Sequence, residues 1–452
     1  MKGIEINELV VQKEATTIIN QLSADFSAGS FVLLTGDSGC GKTTLLHTVA
    51  GFDGSTYQGE ILVNGQNNAQ RTMTEKAQQI GLMFQNPSQQ FTMRTLRREL
   101  MFAMENSGIA IAEAKDRMDK AIHEMKMESL LYQELVTLSG GEKQRAALTV
   151  LLAMNAPILL LDEPFASVDP LSRKWLIKKL ADLRNQGRLI LIADHELTDY
   201  APFVDRFIRM EGGQLTEQSV SQLATQQPLG KLTQANASQT TLFTLQQVAL
   251  HQGTKPLVTP QTVAFKQGIT TLTGENGVGK STLLRAMVQL HPYTGAMFLE
   301  DKKLSRRFGK QKLYEQMTLA VQHAEQQFVT LHVDQELAFP KEPSEAIKQR
   351  QLQAMEELGI QHLLNRGLYQ LSEGQKKMIQ LITMLSLERK FLLLDEPFTG
   401  LDARACQYFV DWLAQKKEQT NFLIVSHRLE PLVGVSEHHM HLSEQKLQEV
   451  VH

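Results

Sequence analysis

Residues 36–46 read GDSGCGKTTLL, and residues 274–284 read GENGVGKSTLL. The first follows the apolar run FVLLTG (31–36), and both fit the pattern G-x-x-x-x-G-K-[ST] at every fixed position. Glycine at those places lets successive backbone N–H groups curl around phosphate oxygens. The lysine then neutralises the outer phosphates, and the next hydroxyl reaches a divalent cation. A helix starting at that point also turns its positive end to the anion. A single match could be a chance glycine turn ahead of a helix; two at equivalent places are a design. The candidate phosphate-binding residues are therefore Gly36, Asp37, Ser38, Gly39, Cys40, Gly41, Lys42, Thr43 and Thr44, and again Gly274, Glu275, Asn276, Gly277, Val278, Gly279, Lys280, Ser281 and Thr282. Thr43 and Ser281 are the hydroxyls placed for Mg²⁺.

Working outward, the same doubling recurs along the chain. LMFQNPSQQF (82–91) returns as LAVQHAEQQF (319–328), ILLLDEPFASVD (158–169) as FLLLDEPFTGLD (391–402), and LILIADHEL (189–197) as FLIVSHRL (422–429). The offsets, taken on Gly36/Gly274, Leu82/Leu319, Asp162/Asp395 and His195/His427, are 238, 237, 233 and 232. Scattered matches would not keep step so closely, so the chain is a tandem duplication. The reading is a first domain over residues 1–226, a linker at 227–240 and a second domain over 241–452. QPLGKLTQANASQT at the junction is polar, holds Pro228 and Gly230 and lacks apolar periodicity, which suits a flexible linker. Short apolar runs read as buried strands and alternate with helix-like stretches such as 109–131 and 167–185. That alternation predicts α/β units with mainly parallel sheets. Residues 86–150 and 323–385 read as helical insertions between the phosphate loop and the acidic strand.

Each LLLDEP ends a hydrophobic run with two carboxylates. Asp162 and Asp395 are placed to hold Mg²⁺, and Glu163 and Glu396 to orient or deprotonate an attacking water. His195 and His427 follow apolar runs 32 and 31 residues after those glutamates, a spacing that suits a hydrogen bond to the γ-phosphate or the water.

Composition narrows the surroundings. Of 452 residues, 42% are hydrophobic and 21% charged, with a net charge of −3, which gives no reason to expect a nucleic-acid surface. Two cysteines, Cys40 and Cys406, exclude a disulfide framework and suit a reducing cytosol. MKGIEINELV has no signal-like apolar core. The longest apolar stretch, 146–161, is broken by Asn155 and Pro157 and is shorter than the ~20 residues a membrane span needs. Work at a membrane would need a partner to hold the chain there.

Taken together, the phosphate loops, glutamines Gln85 and Gln322, the stretches LSGGEKQ (138–144) and LSEGQKK (371–377), the LLLDEP strands and the histidines resemble the ATP-binding cassette (ABC) ATPases over essentially the whole chain, twice. The resemblance implies two tandem P-loop NTPase domains, with ATP and Mg²⁺ as cofactors. It adds Gln85 and Gln322 to the metal and catalytic groups. In that family two cassettes pack head to tail, each ATP lying between one phosphate loop and the other signature. One chain would then form an internal pseudo-dimer in which Ser139, Gly141 and Glu142, and Ser372, Gly374 and Gln375, face the opposite nucleotide. FQNPSQQF followed by RRELMFAMENSGI further resembles the cassettes of energy-coupling factor (ECF) importers, and the fused layout resembles their hydroxymethylpyrimidine group. That implies a transmembrane coupling subunit and a substrate-binding membrane subunit as partners, no nucleic acid, and a peripheral place on the cytoplasmic face. One departure stands out: neither NELVVQKEATT (7–17) nor QQVALHQGTKP (246–256) offers the aromatic residue that stacks on adenine in the family.

The two signatures differ at two places. Both fit S-x-x-[EQ], the capping box, so Glu142 against Gln375 is a swap the box accepts. Glu373 in place of Gly140 is the harder case, and a carboxylate turned away from the phosphate is the expectation. A twin-cassette translation factor would carry a long charged linker, and a chromosome-organising ATPase a long coiled coil between Lys42 and Ser139. Neither is present; an exporter ATPase is the nearer alternative.

Overall fold

The computed structural model describes residues 2–13, 16–52, 56–165, 168–224, 238–304, 310–339 and 343–450. Residues 227–237 of the stretch read as a linker lie outside them. The chain divides into two compact units, Met1–Gln226 and Gln227–His452.

In the first unit, a six-stranded sheet runs Gln214–Gln218, Arg206–Glu211, Phe31–Thr35, Leu189–Ala193, Ile158–Asp162, Ile80–Met83. All its pairings are parallel except that of the Gln214–Gln218 edge strand. The central strands are apolar throughout because both faces are covered. Side-chain alternation divides them: Leu33, Leu159, Leu161, Ile190 and Ile192 join the core under the helices, whereas Val32, Leu34, Leu160 and Leu191 join a second core with Leu45, Leu46 and Val49. The second unit repeats this sheet in the order Met317–Ala320, Phe391–Asp395, Asn421–Val425, Ile269–Thr273, His438–Ser443, Lys446–Glu449. The mainly parallel α/β architecture expected from the sequence is thus present in both halves.

Helices Leu96–Asn106, Ile111–Met125 and Gly140–Met154 form the insertion of the first unit; Val333–Ala338, Glu345–Glu357 and Glu373–Ser386 form that of the second. The stretch 109–131, read as helical, is interrupted at Lys126, which caps Ile111–Met125 with φ 55°. A second, antiparallel sheet had not been read from the sequence. It joins Gly3–Lys13 to Thr16–Ser27 and Tyr57–Val63 in the first unit, and Thr241–Gln252 to Lys255–Lys266 and Thr294–Leu299 in the second. Its buried Ile4, Ile6, Leu9 and Val11 cover the phosphate-loop helix side of the main sheet.

The halves differ beneath their phosphate loops. Where the first unit has Leu33 and Phe207 in its apolar core, the equivalent positions of the second hold Thr271 and His439. Thr271 donates to the Ser436 hydroxyl at 2.8 Å, and the Thr273 hydroxyl lies 2.8 Å from His439 Nε2 and 2.9 Å from His441 Nδ1. Among the described residues, no helix is long and apolar enough to cross a membrane.

Candidate functional site

The two phosphate loops are built alike. Each leaves a buried strand and runs into a helix, Lys42–Ala50 or Lys280–Met287, whose cap is a left-handed glycine, Gly41 at φ 109° or Gly279 at φ 110°. A side chain at Gly41 would also press on the end of Met210, at 2.9 Å from Cε, but it is the left-handed backbone that calls for glycine there. Gly39 and Gly277 have positive φ as well, but an added Cβ would meet nothing within 4 Å. They leave the concave side of the loop open to a phosphate chain. Lys42 Nζ donates to the carbonyls of Gly36 at 2.8 Å and Asp37 at 3.2 Å; Lys280 Nζ does the same to Gly274 at 2.6 Å and Glu275 at 2.9 Å. These buried ammonium groups are held on loop carbonyls, facing where anionic oxygens would replace or join them.

The acid pairs sit where strands Ile158–Asp162 and Phe391–Asp395 end. Glu163 and Glu396 have positive φ, 42° and 48°, a conformation that costs a non-glycine residue on the order of 1 kcal/mol or more. Each is fixed there by a backbone hydrogen bond, Glu163 N to Ala193 O at 2.8 Å and Glu396 N to Val425 O at 2.9 Å. The strain aims both glutamates off the strand end. Among the described residues, the buried Asp162 carboxylate has no hydrogen-bond partner beyond the adjacent Thr43 hydroxyl, and Oδ1 of Asp395 has none. Buried anionic oxygens so sparsely partnered fit a divalent cation, and Thr43 and Ser281 supply the adjacent hydroxyls. Burial, then the neighbouring Glu163, pushes Asp162 up to about 7. Asp395 is also raised by burial, against the Ser281 hydroxyl and the Lys377 ammonium.

The glutamates diverge. Glu163 is gripped by His195 Nε2 at 2.9 Å and by Gln85 Nε2 at 2.9 Å. Burial raises its pKa, yet His195, Lys42 and Gln85 together outweigh it and leave the carboxyl below its ordinary value. Glu396 accepts the backbone N–H of His427 at 3.1 Å, but its side chain lies 3.7 Å from His427 Nε2. That nitrogen is instead 2.8 Å from Asn276 Oδ1 and 3.2 Å from Lys280 Nζ. Burial, then Asp395, pushes Glu396 up to about 8. The first half thus joins glutamine, glutamate and histidine in one chain of contacts, while the second ties its histidine to the phosphate loop.

Gln322 is placed differently from Gln85 in one respect that sequence reading missed. Its carbonyl accepts Lys377 Nζ at 2.8 Å, and Lys377 also donates to Gln380 Oε1 at 3.1 Å. Burial lowers this ammonium to about 8, while Asp395 and Glu396 pull it upward. The available signal was Lys377 standing where the first copy has Gln144.

The signature residues gather elsewhere within each unit, at the starts of helices Gly140–Met154 and Glu373–Ser386. Both capping boxes are formed: Ser139 Oγ accepts Glu142 N at 3.4 Å while Glu142 Oε2 accepts Ser139 N at 2.8 Å. Ser372 and Gln375 do likewise at 3.3 and 3.0 Å. Glu373 lies along its own helix, accepting Lys376 Nζ at 2.9 Å, and the same ammonium donates to Glu325 at 3.2 Å.

A doubly built phosphate loop, strand-end acid pair and capped signature define a nucleotide-hydrolysing enzyme with two cassettes. The family model described as ABC transporter matches residues 19–166 and 262–399, and the chain belongs to that family; it is an ATPase. Membership implies ATP binding with Mg²⁺. Among curated relatives, the provisionally named HMP/thiamine import ATP-binding protein YkoD of Bacillus subtilis (strain 168) is 28% identical, over 93% of this chain and 85% of its own length. A provisionally named ABC transporter ATP-binding protein of Treponema denticola is 27% identical over 90% of this chain and 88% of its own. Among solved structures, one titled RNase-L Inhibitor superposes with a TM-score of 0.65 at 19% identity, over 96% of this chain and 87% of that one, a likeness of fold.

Proposed function

We propose that this chain is the ATP-hydrolysing subunit of an ECF-type membrane importer that takes up a vitamin, a vitamin precursor or a transition metal. The observation that carries the reading is the similarity, along nearly the full length of both chains, to a relative named for HMP/thiamine import. The segment after the first glutamine supports it. Asn86 caps the Pro87–Gln89 turn by accepting Ser88 N at 3.1 Å, and Gln90 ties that turn back to Leu82 O at 3.1 Å and Phe84 N at 3.2 Å. It is a hydrogen-bonded turn whose exposed residues are Ser88 and Gln89, suited to receive a transmembrane coupling subunit at the cytoplasmic face.

Two ATP sites are proposed, each completed by the signature of the other half. Ser139, Gly141 and Glu142 serve the nucleotide held by Lys280, and Ser372, Gly374 and Gln375 the one held by Lys42. Thr43, Asp162 and Gln85, and in the second half Ser281, Asp395 and Gln322, would hold Mg²⁺, which would supply neutralisation of phosphate charge. Glu163 and Glu396 orient the attacking water and accept its proton, and His195 and His427 hold the γ-phosphate or that water. Work follows only if ATP binds the closed arrangement of the halves more tightly than the open one.

The test is to purify the tagged chain from detergent-solubilised membranes and identify what accompanies it. A coupling subunit together with a small substrate-binding membrane protein is the expected result. Recovery of an exporter's membrane domains, or of ribosomal proteins, would refute the importer reading.

A further inference from the structure

Beyond the groups that face the nucleotide, each half contains an arginine that ties the histidine loop to the segment following the acid pair, and the two halves do so from opposite sides. In the first, the arginine stands on the helix after the acid pair. Arg173, on Pro170–Asn185, is 1% exposed. Its guanidinium donates to the carbonyls of Glu196 at 2.6 Å and Thr198 at 2.6 Å, and to Asp194 Oδ2 at 3.4 Å. Those three residues flank His195. Asp194 is further held by the buried Tyr200 hydroxyl at 2.7 Å, and the guanidinium lies 5.0 Å from the Tyr200 ring.

In the second half the position equivalent to Arg173 is Cys406, a buried thiol. The arginine has moved to the histidine loop itself: Arg428 stands where the first half has Glu196. It donates to the carbonyls of Leu401 at 2.6 Å and Phe398 at 3.3 Å, on the segment that follows Glu396. Ser426 replaces Asp194 and closes the loop locally, accepting Arg428 N at 3.1 Å and donating to Arg428 O at 2.8 Å. Helix-borne arginine bonding loop carbonyls has become loop-borne arginine bonding carbonyls beside the helix.

We propose that Arg173 and Arg428 are positioning residues for hydrolysis, each fixing its histidine relative to the neighbouring glutamate. The inference rests on the reading of His195 and His427 as γ-phosphate or water ligands. Arg173 sets two nitrogens, Nη1 and Nη2, on two carbonyls, and Arg428 shares one, Nη1, between two; two backbone anchors on one guanidinium set where the loop lies as well as whether it folds. That one chain satisfies the same link by two unrelated residue sets argues that the link itself is the requirement. The exchange also has to be made as a pair, since arginine at both places would set two guanidinium groups together.

The experiment uses the full chain and compares ATP turnover for Arg173→Cys, Arg173→Cys/Glu196→Arg and His195→Ala, with thermal unfolding alongside. The double variant transplants the second half's solution into the first. Arg173→Cys should fall to within about threefold of His195→Ala in kcat with KM for ATP changed by less than about twofold, since the phosphate loop is untouched; the double variant should regain wild-type kcat to within about twofold. Wild-type turnover in folded Arg173→Cys, or a folded double variant as slow as the single, would overturn the proposal. If Arg173→Cys does not fold, Arg173→Lys decides, keeping the charge without the fork: lowered kcat at unchanged KM supports the proposal and full kcat refutes it. Wild-type turnover in His195→Ala would sink the histidine reading and this inference with it. Loss in His195→Ala without loss at position 173 would sink this inference alone.

Discussion

Replacing Glu396 by glutamine should stabilise the nucleotide-free protein by an amount that grows from nothing below pH 4.5 to its full size above about pH 8. The ordinary carboxyl value is 4.5, and burial together with Asp395 pushes Glu396 to about 8. Below the ordinary value the group is protonated in both folded and unfolded chains and costs nothing. As pH rises the unfolded chain ionises first, so stability is lost progressively until the folded value is passed. A gap between 4.5 and about 8 sets a ceiling of about 5 kcal/mol, from 1.36 kcal/mol per unit. Sharing of the repulsion with Asp395 brings the expected gain to a few kcal/mol, or roughly 5–10 °C for a unit of this size. The amide keeps the shape and an acceptor for His427 N. Glu163 carries the opposite sign: His195, Lys42 and Gln85 outweigh burial and hold it below its ordinary value, so its ionised form stabilises the fold. Glu163→Gln should therefore destabilise at neutral pH, the loss shrinking as pH falls through the native value. Thermal unfolding from pH 3 to 9 in EDTA without nucleotide checks both. A Glu396→Gln protein no more stable than wild type at pH 9, or a Glu163→Gln protein that gains stability there, would refute the argument.

Other expectations concern single contacts. Lys42→Ala and Lys280→Ala each remove the cation resting on loop carbonyls and should each abolish tight binding of a fluorescent ATP analogue at one of two sites, halving the stoichiometry. Gly36→Ala sets a Cβ 2.3 Å from Met210 O at φ 154°, and should lower the melting temperature more than Gly39→Ala, whose Cβ meets nothing. Ser139→Ala removes a capping box and should cost about 1 kcal/mol in denaturant unfolding. Under the proposed pairing of each signature with the opposite phosphate loop, Lys376→Ala frees Glu373 from its own helix; a carboxylate swung to ~4 Å from a phosphate costs on the order of 4 kcal/mol at an effective dielectric near 20, so ATP binding at the site holding Lys42 should weaken strongly. Unchanged affinity there would refute the idea that Glu373 needs restraint.

The fold was legible because its strongest signals are local. FVLLT and ILLLD are buried on both faces and so need no partner to be recognised, and the glycines of GDSGCGKTT specify one turn. Thr241–Gln252 and Lys255–Lys266 went unread because their bulges, at Leu245/Val248 and at Val248/Leu250, break the alternation that would have marked them. Which residues of the site gather around the acid pair was likewise carried by motifs. How they are joined was not. Nothing in LSEGQKK says that Lys377 reaches a carbonyl 55 positions earlier, and nothing in DHEL or SHRL says on which side an arginine closes the loop. Such contacts depend on packing between elements far apart in the chain.

The hydroxyls and imidazoles under the second phosphate loop carry a consequence for how the protein opens. The strand Ile269–Thr273 is locked by directional contacts to Ser436, His439 and His441, where Phe31–Thr35 is sealed by oil. Water can substitute for a hydroxyl's partner at little cost, but it cannot substitute for Leu33 against Phe207. Amide protons at Thr271 and Thr273 should therefore exchange with solvent sooner than those at Leu33 and Thr35, and the second half should be the weaker shutter, the end from which the molecule first breathes.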